Sequence, residues 1–226
     1  MLAPGTFTRP TLQFSADERF LTYSAKPLTT ASNQVYLFDF QTANNLLISG
    51  ATATGTSDSP AISADGHFVA YRSSGTNTVL GATNGFSQIF LYDRLIGTTA
   101  LLSKSRFGDF AADNRSLIPV FSGNGQVLFF ESWANDLSAV DFNYNVDLFA
   151  FPILYVSISL PQAPGQGPTL NWPAQPATTY RVEYKNSLYD PVWQVAGGTV
   201  TIIGDQAYLT DPAPVDGERF YRVVGF

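Results

Sequence analysis

The chain contains no cysteine and one histidine, His67, among 226 residues. The first absence excludes thiolate metal sites, thiol nucleophiles and disulfides. The second leaves little room for a Ser-His-Asp relay or a histidine-ligated metal. Its 12 lysines and arginines are scattered singly against 18 acidic residues, giving a net charge of −6 and a pI near 4.6. Without a basic patch to neutralise phosphates, nucleic-acid binding is excluded as an expectation, as is a polybasic membrane-surface segment. No apolar run reaches the length of a membrane-spanning helix, and MLAPGTFTRP at the start has no apolar core of a signal peptide. Long stretches of Ala, Leu, Glu and Lys are missing as well, which argues against helices.

What remains is a folded, all-β composition: 45% hydrophobic, 14% aromatic and 13% charged, with 18 Gly, 14 Pro, 18 Phe and 11 Tyr. The first two-thirds of the chain repeats itself. PTLQFSADERFLTYSA followed by QVYLFDF, SPAISADGHFVAYRSS followed by QIFLYDRLIGTTALLS, and LIPVFSGNGQVLFFESWANDL followed by VDLFAFPI align with Ser15, Ser63 and Ser122 in register, 48 and 59 residues apart. Gln34, Gln88 and Asp147 head the second apolar run of each unit.

Each unit reads as a small antiparallel sheet. A short strand ends at the Ser, and a two-residue hairpin turn is expected at Asp65-Gly66 and Asn124-Gly125, whose glycines suit a positive φ. Asp17-Glu18 fits that turn less well. Aromatic and β-branched strands follow at 67–72 and 127–131, then a polar loop, a third strand such as 89–93, and a fourth such as 99–103. Four short strands every 40 to 60 residues are the mark of β-propeller blades. The expected architecture is therefore three four-stranded blades over residues 1–152, followed by a small β-sandwich over 153–226.

The repeat, SPAISADGHFVAYRSS…QIFLYDRLIGTTALLS above all, resembles the TolB-type, WD-like propeller repeat of exported bacterial proteins; LFFESWANDLSAVDFNYNVDLFAF is a close match to it. The likeness covers about residues 9–152 and implies a fold, with a secreted or periplasmic setting, rather than an activity. The remainder, with Trp172, TYRVEYK, Trp193 and the closing FYRVV, resembles a fibronectin type III-like module. ILYVSISL (153–160) is either its first strand or the outer strand of the third blade, with PQAPGQGP (161–168) as a linker.

Three blades do not close a ring, since propellers have about 4 to 8. Either further blades precede this chain in a longer protein, the favoured expectation, or two copies form a six-bladed homodimer ring.

The catalytic possibilities are thin. No Gly-x-Ser-x-Gly elbow is present, and His67 reads as a turn or surface residue beside Asp65-Gly66. Ser63-Ala64-Asp65-Gly66 approaches the Asp-box of sialidases, but its Gly comes one position early and the following Trp is missing. Carboxylates paired for glycoside hydrolysis are not evident. Glu131 and Trp133, close together in the third unit, are the ligand-binding candidates. In AVDFNYNVDLFAF, Asp141, Asn143, Asn145 and Asp147 alternate as calcium ligands do at the start of a binding loop. An EF-hand is excluded by Val146 and Pro152 where Gly and Glu belong, and the second unit keeps almost none of these oxygens. Turn closure through Asx bonds is the first reading and calcium the second. The sequence thus points to a non-catalytic binding or scaffolding segment of an exported bacterial protein, meeting a polar protein or glycan through loops 25–33, 74–86 and 133–146. The alternative is an accessory region of a secreted peptidase or glycosidase whose catalytic part lies upstream.

Overall fold

The computed structural model describes residues 12–27, 32–50, 55–75, 79, 84–139, 141, 145–153, 155–161, 167–174, 178–204, 206–213 and 218–226. Among them there is no α-helix, and the strands form five antiparallel sheets. The chain divides into two compact units, Met1–Phe151 and Pro152–Phe226.

The first unit is built from three successive meanders. Strands β1 (Leu12–Phe14), β2 (Phe20–Ala25), β3 (Gln34–Asp39) and β4 (Asn44–Leu47) form the first sheet in that order. β5 (Ser57–Ile62), β6 (Phe68–Ser73), β7 (Gln88–Asp93) and β8 (Thr98–Leu101) form the second. The third has three strands: β9 (Ser116–Phe121), β10 (Val127–Ser132) and β11 (Asp147–Pro152). The expected fourth strand of this last sheet is not present among the described residues. Beyond Pro152 the next strand, β12 (Ser157–Ser159), pairs instead with β13 (Thr169–Pro173) of the second unit. The Ser157–Ser159 part of ILYVSISL therefore pairs within the second unit, and among the described residues no sheet closes on itself.

The turn between the first two strands of each sheet is the same device three times. Ser15, Ser63 and Ser122 donate through Oγ to Asp17, Asp65 and Asn124 at 2.5, 2.5 and 2.8 Å. The same carboxylate or amide oxygen accepts the N–H of Arg19, His67 or Gln126. The N–H of Phe20, Phe68 or Val127 returns to the Ser Oγ at 3.0, 2.9 and 3.0 Å. The loop is longer than the two-residue hairpin expected: Ser63 pairs with Phe68, and Gly66 N–H bonds back to Ser63 C=O. Only one residue of each loop is left-handed, Glu18 (φ 58°), Gly66 (φ 69°) and Gly125 (φ 73°). Glu18 accepts the conformation its counterparts obtain from glycine, because the serine clamp fixes the turn.

A second repeated device sits at the head of the third strand. Gln34 and Gln88 are buried. Each Oε1 accepts from the Ser after its fourth strand, Ser49 at 2.6 Å and Ser103 at 2.5 Å, and those serines accept the N–H of Val35 and Ile89. Each Nε2 donates to the connection into the next sheet: Gln34 to Gly55 C=O, Gln88 to Ala112 and Asn114 C=O. Apolar residues then pack sheet on sheet, with Phe20, Val35 and Leu37 against Tyr71, Phe90 and Tyr92. The inner strands β5 and β9 share a bulge, with register shifts and a left-handed residue before proline, Ser59 (φ 52°) before Pro60 and Ile118 (φ 53°) before Pro119.

The second unit pairs two sheets, β12 and β13 with β17 (Gln206–Thr210) and β16 (Thr201–Ile203), and β15 (Gln194–Val195) with β14 (Tyr180–Lys185) and β18 (Phe220–Gly225). Trp172, Leu170, Val182, Ala207 and Leu209 form its core. Buried Asp211 accepts from Arg219 Nη1 (2.7 Å), the Tyr221 hydroxyl (2.9 Å) and Ala213 N–H (2.9 Å). Burial alone pushes its carboxyl up, but these donors together hold it below the usual range, and Tyr221 is raised to about 12 by burial and by the same carboxylate.

Gln88→Leu should strand the Asn114 carbonyl and the Ser103 hydroxyl proton, at about 1–3 kcal/mol for each buried group left unbonded, while Ala112 C=O keeps its bond from Asn84 Nδ2 at 2.7 Å. Urea unfolding should show the midpoint falling while the slope stays unchanged. Gln41→Leu, on an exposed turn, should stay within about 0.5 kcal/mol of the parent.

Candidate functional site

Asn135 Oδ1 and both carboxylate oxygens of Asp141, shut off from solvent, lie where the connections flanking β9 meet; Trp172 Nε1 in the second unit is another such atom. One connection runs from Ser103 to Arg115, the other follows Ser132. They are stitched by reciprocal bonds: Asp113 N–H donates to Asp136 Oδ1 (2.9 Å), and Asn135 N–H donates to Asp113 Oδ1 (3.0 Å). Asp136, itself buried, also offers its backbone carbonyl to Arg106 N–H at 2.7 Å. Beneath them Ser116 and Ser132 join their hydroxyls at 2.9 Å, and Ser132 reaches Arg115 C=O. The same Ser pair closes the second sheet, as Ser57 and Ser73.

The electrostatics of this corner are one-sided. Asp113 is exposed as a residue, yet partial desolvation of its carboxyl raises it above the ordinary range, and the neighbouring charges of Asp136 and Asp141 raise it further, against the lowering bond from Asn135 N–H. Both carboxylate oxygens of Asp141 are shut off from solvent and accept no hydrogen bond, and Asn135 Oδ1 is in the same position. Among the described residues no three His, Asp or Glu side chains are placed to hold a metal together.

The ligand candidates of the sequence fall close by. Trp133 follows β10 directly, with its ring under the Arg115 guanidinium at 4.3 Å and its backbone N–H donating to Arg115 C=O. Glu131 stands two residues earlier in β10, paired with Leu117 across the strand and half-buried. Of the calcium candidates, Asp141 belongs to the acidic corner, Asn145 is exposed, and Asp147 heads β11 in the place held by Gln34 and Gln88. Asn143 lies outside the described residues, as do parts of loops 25–33, 74–86 and 133–146.

The acidic corner is not legible in the chain, because Asp113 and Asp136 are separated by a whole hairpin. Their turn-like surroundings in sequence give them local roles. His67, expected at a turn surface, is buried: its Nε2 lies 3.0 Å from Asp93 Oδ1 and its ring stacks on Phe68. Asp93 also accepts the N–H of Leu95 and Ile96, so the pair serves the β7–β8 turn. A hollow bounded by Phe20, Leu37, Asp39 and Arg94 has a volume of about 180 Å³, below the roughly 300–1,000 Å³ of small-molecule pockets.

Asp113→Asn separates charge from shape, since an amide oxygen still accepts Asn135 N–H. A raised carboxyl keeps its proton in the fold to higher pH than in the unfolded chain, so ionisation at neutral pH opposes folding. The variant should therefore melt higher than the parent at pH 7. The difference should vanish in melts below the unfolded-state value near 3.8.

No protein-family model matches the chain, and no curated protein sequence does. Solved structures do. The tricorn protease is 14% identical over 70% of this chain and 14% of its own, with a TM-score of 0.41. TolB from Acinetobacter baumannii is 13% identical over 93% of this chain and 56% of its own, at 0.38. The β-propeller domain of the Trilobed protease from Pyrococcus furiosus is 12% identical over 90% and 53%, at 0.36. The chain thus spans little more than half of the TolB structure and a small part of tricorn. At these scores the likeness carries no argument about residues or activity; the repeat seen in the strands and clamps stands by itself.

Proposed function

We propose that this chain is a non-catalytic binding segment of an exported bacterial protein. The three sheets of the first unit act as propeller blades of TolB type, and the second unit is a fibronectin type III-like spacer. The supporting observation is the pair Arg115 and Trp133: an exposed guanidinium lying over a half-buried indole, with Glu131 and Asn135 two residues to either side of the Trp in sequence. Stacked aromatic rings with neighbouring amide and carboxylate groups suit sugar faces or polar peptide loops. For a hydrolase reading the one histidine, His67, would be the natural base, and its burial beside Asp93 at the β7–β8 turn suits a structural role instead.

Probing the chain against immobilised oligosaccharides and a peptide library tests the reading. Binding by the parent that is lost in the paired variant Arg115→Ala, Trp133→Ala supports it. A parent that retains neither class, or a variant that binds undiminished, would sink it.

Calcium is a second reading, supported by the unbonded oxygens of Asp141. A hard cation takes such oxygens together with amide carbonyls, with Asn143, Asn145 and Asp147 as the nearest candidates in sequence. Millimolar calcium should raise the melting temperature of the parent and leave that of Asp141→Asn unchanged. An unshifted parent melt overturns the idea.

A further inference from the structure

Among the described residues, the first unit leaves one face of its first sheet and one face of its third sheet uncovered, and the repeat pairs the equivalents of these faces elsewhere. An aromatic pair recurs in the second and third strands of every sheet: Tyr23–Tyr36, Tyr71–Phe90 and Phe130–Phe149, with ring centroids 5.3, 5.8 and 5.7 Å apart and planes within 17–20°. In the second sheet this pair is wholly buried against the first, whose Phe20, Val35 and Leu37 share its cluster. In the third sheet Phe130 is buried likewise. In the first sheet, Tyr23 and Tyr36 are only half-buried, and Phe14 and Leu12 beside them are exposed.

The opposite face completes the symmetry. Phe68, Ala70 and Ile89 of the second sheet are buried on the side away from the first. Their equivalents in the third sheet, by the register of Ser63 on Ser122 and Gln88 on Asp147, are Val127, Phe129 and Leu148. Leu128 and Phe130 are buried, whereas Val127 and Phe129 alternate with them as half-buried residues and Leu148 is 70% exposed. The third sheet thus ends on the surface that, one and two sheets earlier, covers an aromatic pair.

We propose that a second copy of this chain fills both openings. The third sheet of each copy lies on the first sheet of the other, making a ring of six sheets with two equivalent seams. The inference rests on the propeller reading, but uses neither the loops nor the Arg115–Trp133 corner. The seam continues an interface already made twice within the chain. Its lining is apolar on both sides, Leu12, Phe14, Tyr23 and Tyr36 on the first sheet and Val127, Phe129 and Leu148 on the third. A head-to-tail contact of this kind closes when the rotation per copy divides the circle, and propellers of about 4 to 8 blades accommodate six.

The test uses the chain itself in light scattering and native mass spectrometry. The parent should show twice the 24.5 kDa chain mass at micromolar concentration. Tyr36→Lys and Leu148→Glu, each placing a charge on one open face, should halve that mass. Both should keep the parent's circular dichroism, since neither side chain is in the core. Mixing the two variants should restore a mixed dimer, because one seam then pairs Lys with Glu and the other is unaltered. A monomeric parent, growth into open-ended chains, or single variants that remain dimeric each overturn the proposal, whatever the loops bind.

Discussion

Everything in the first unit depends on an amide that cannot be left unbonded. Gln34 and Gln88 sit in the interior, where an unpaired carboxamide costs more than a bonded one gains. Each solves this by holding its own sheet with the oxygen and the start of the next with the nitrogen. The connection is thereby fixed in direction at the place where a short loop would otherwise leave the following sheet free to turn. Apolar packing supplies most of the energy, being nearly non-directional; the amide decides which face meets which.

In the third sheet this element is changed. Asp147 occupies the glutamine's place, β11 ends at Pro152, and the chain departs into the second unit without a fourth strand among the described residues. A carboxylate has no N–H to donate onward to a following connection. The loss of the amide donor and the loss of the next sheet occur together.

The repeat is readable because its markers are local: Ser, Asp or Asn, and Gly within five residues, then an alternating strand. Even Glu18, a poor residue for a left-handed turn, does not hide the first copy, since the flanking Ser15 and Asp17 are enough. What the chain does not disclose is non-local. Asp113 and Asp136 meet only after a hairpin folds between them, and the burial of His67 follows from Asp93, a whole strand away. Gln34 and Gln88 are visible as a recurring position without their chemistry, because the partners are backbone carbonyls and carry no side-chain signature. The two-residue hairpin expected from Asp65-Gly66 fails for a related reason. The serine hydroxyl closes a wider loop, a possibility that the dipeptide alone does not convey.

The bulges of β5 and β9 bear on a hazard common to every β protein. Both strands lie at a sheet edge, where unpaired N–H and C=O groups invite another chain to add in register. A left-handed residue followed by proline removes a donor and bends the edge at the point where such growth would propagate. Ile118 is a costly residue to hold at φ 53°, for a β-branched side chain resists that region. The fold therefore accepts local strain inside its inner strands as protection against uncontrolled strand addition.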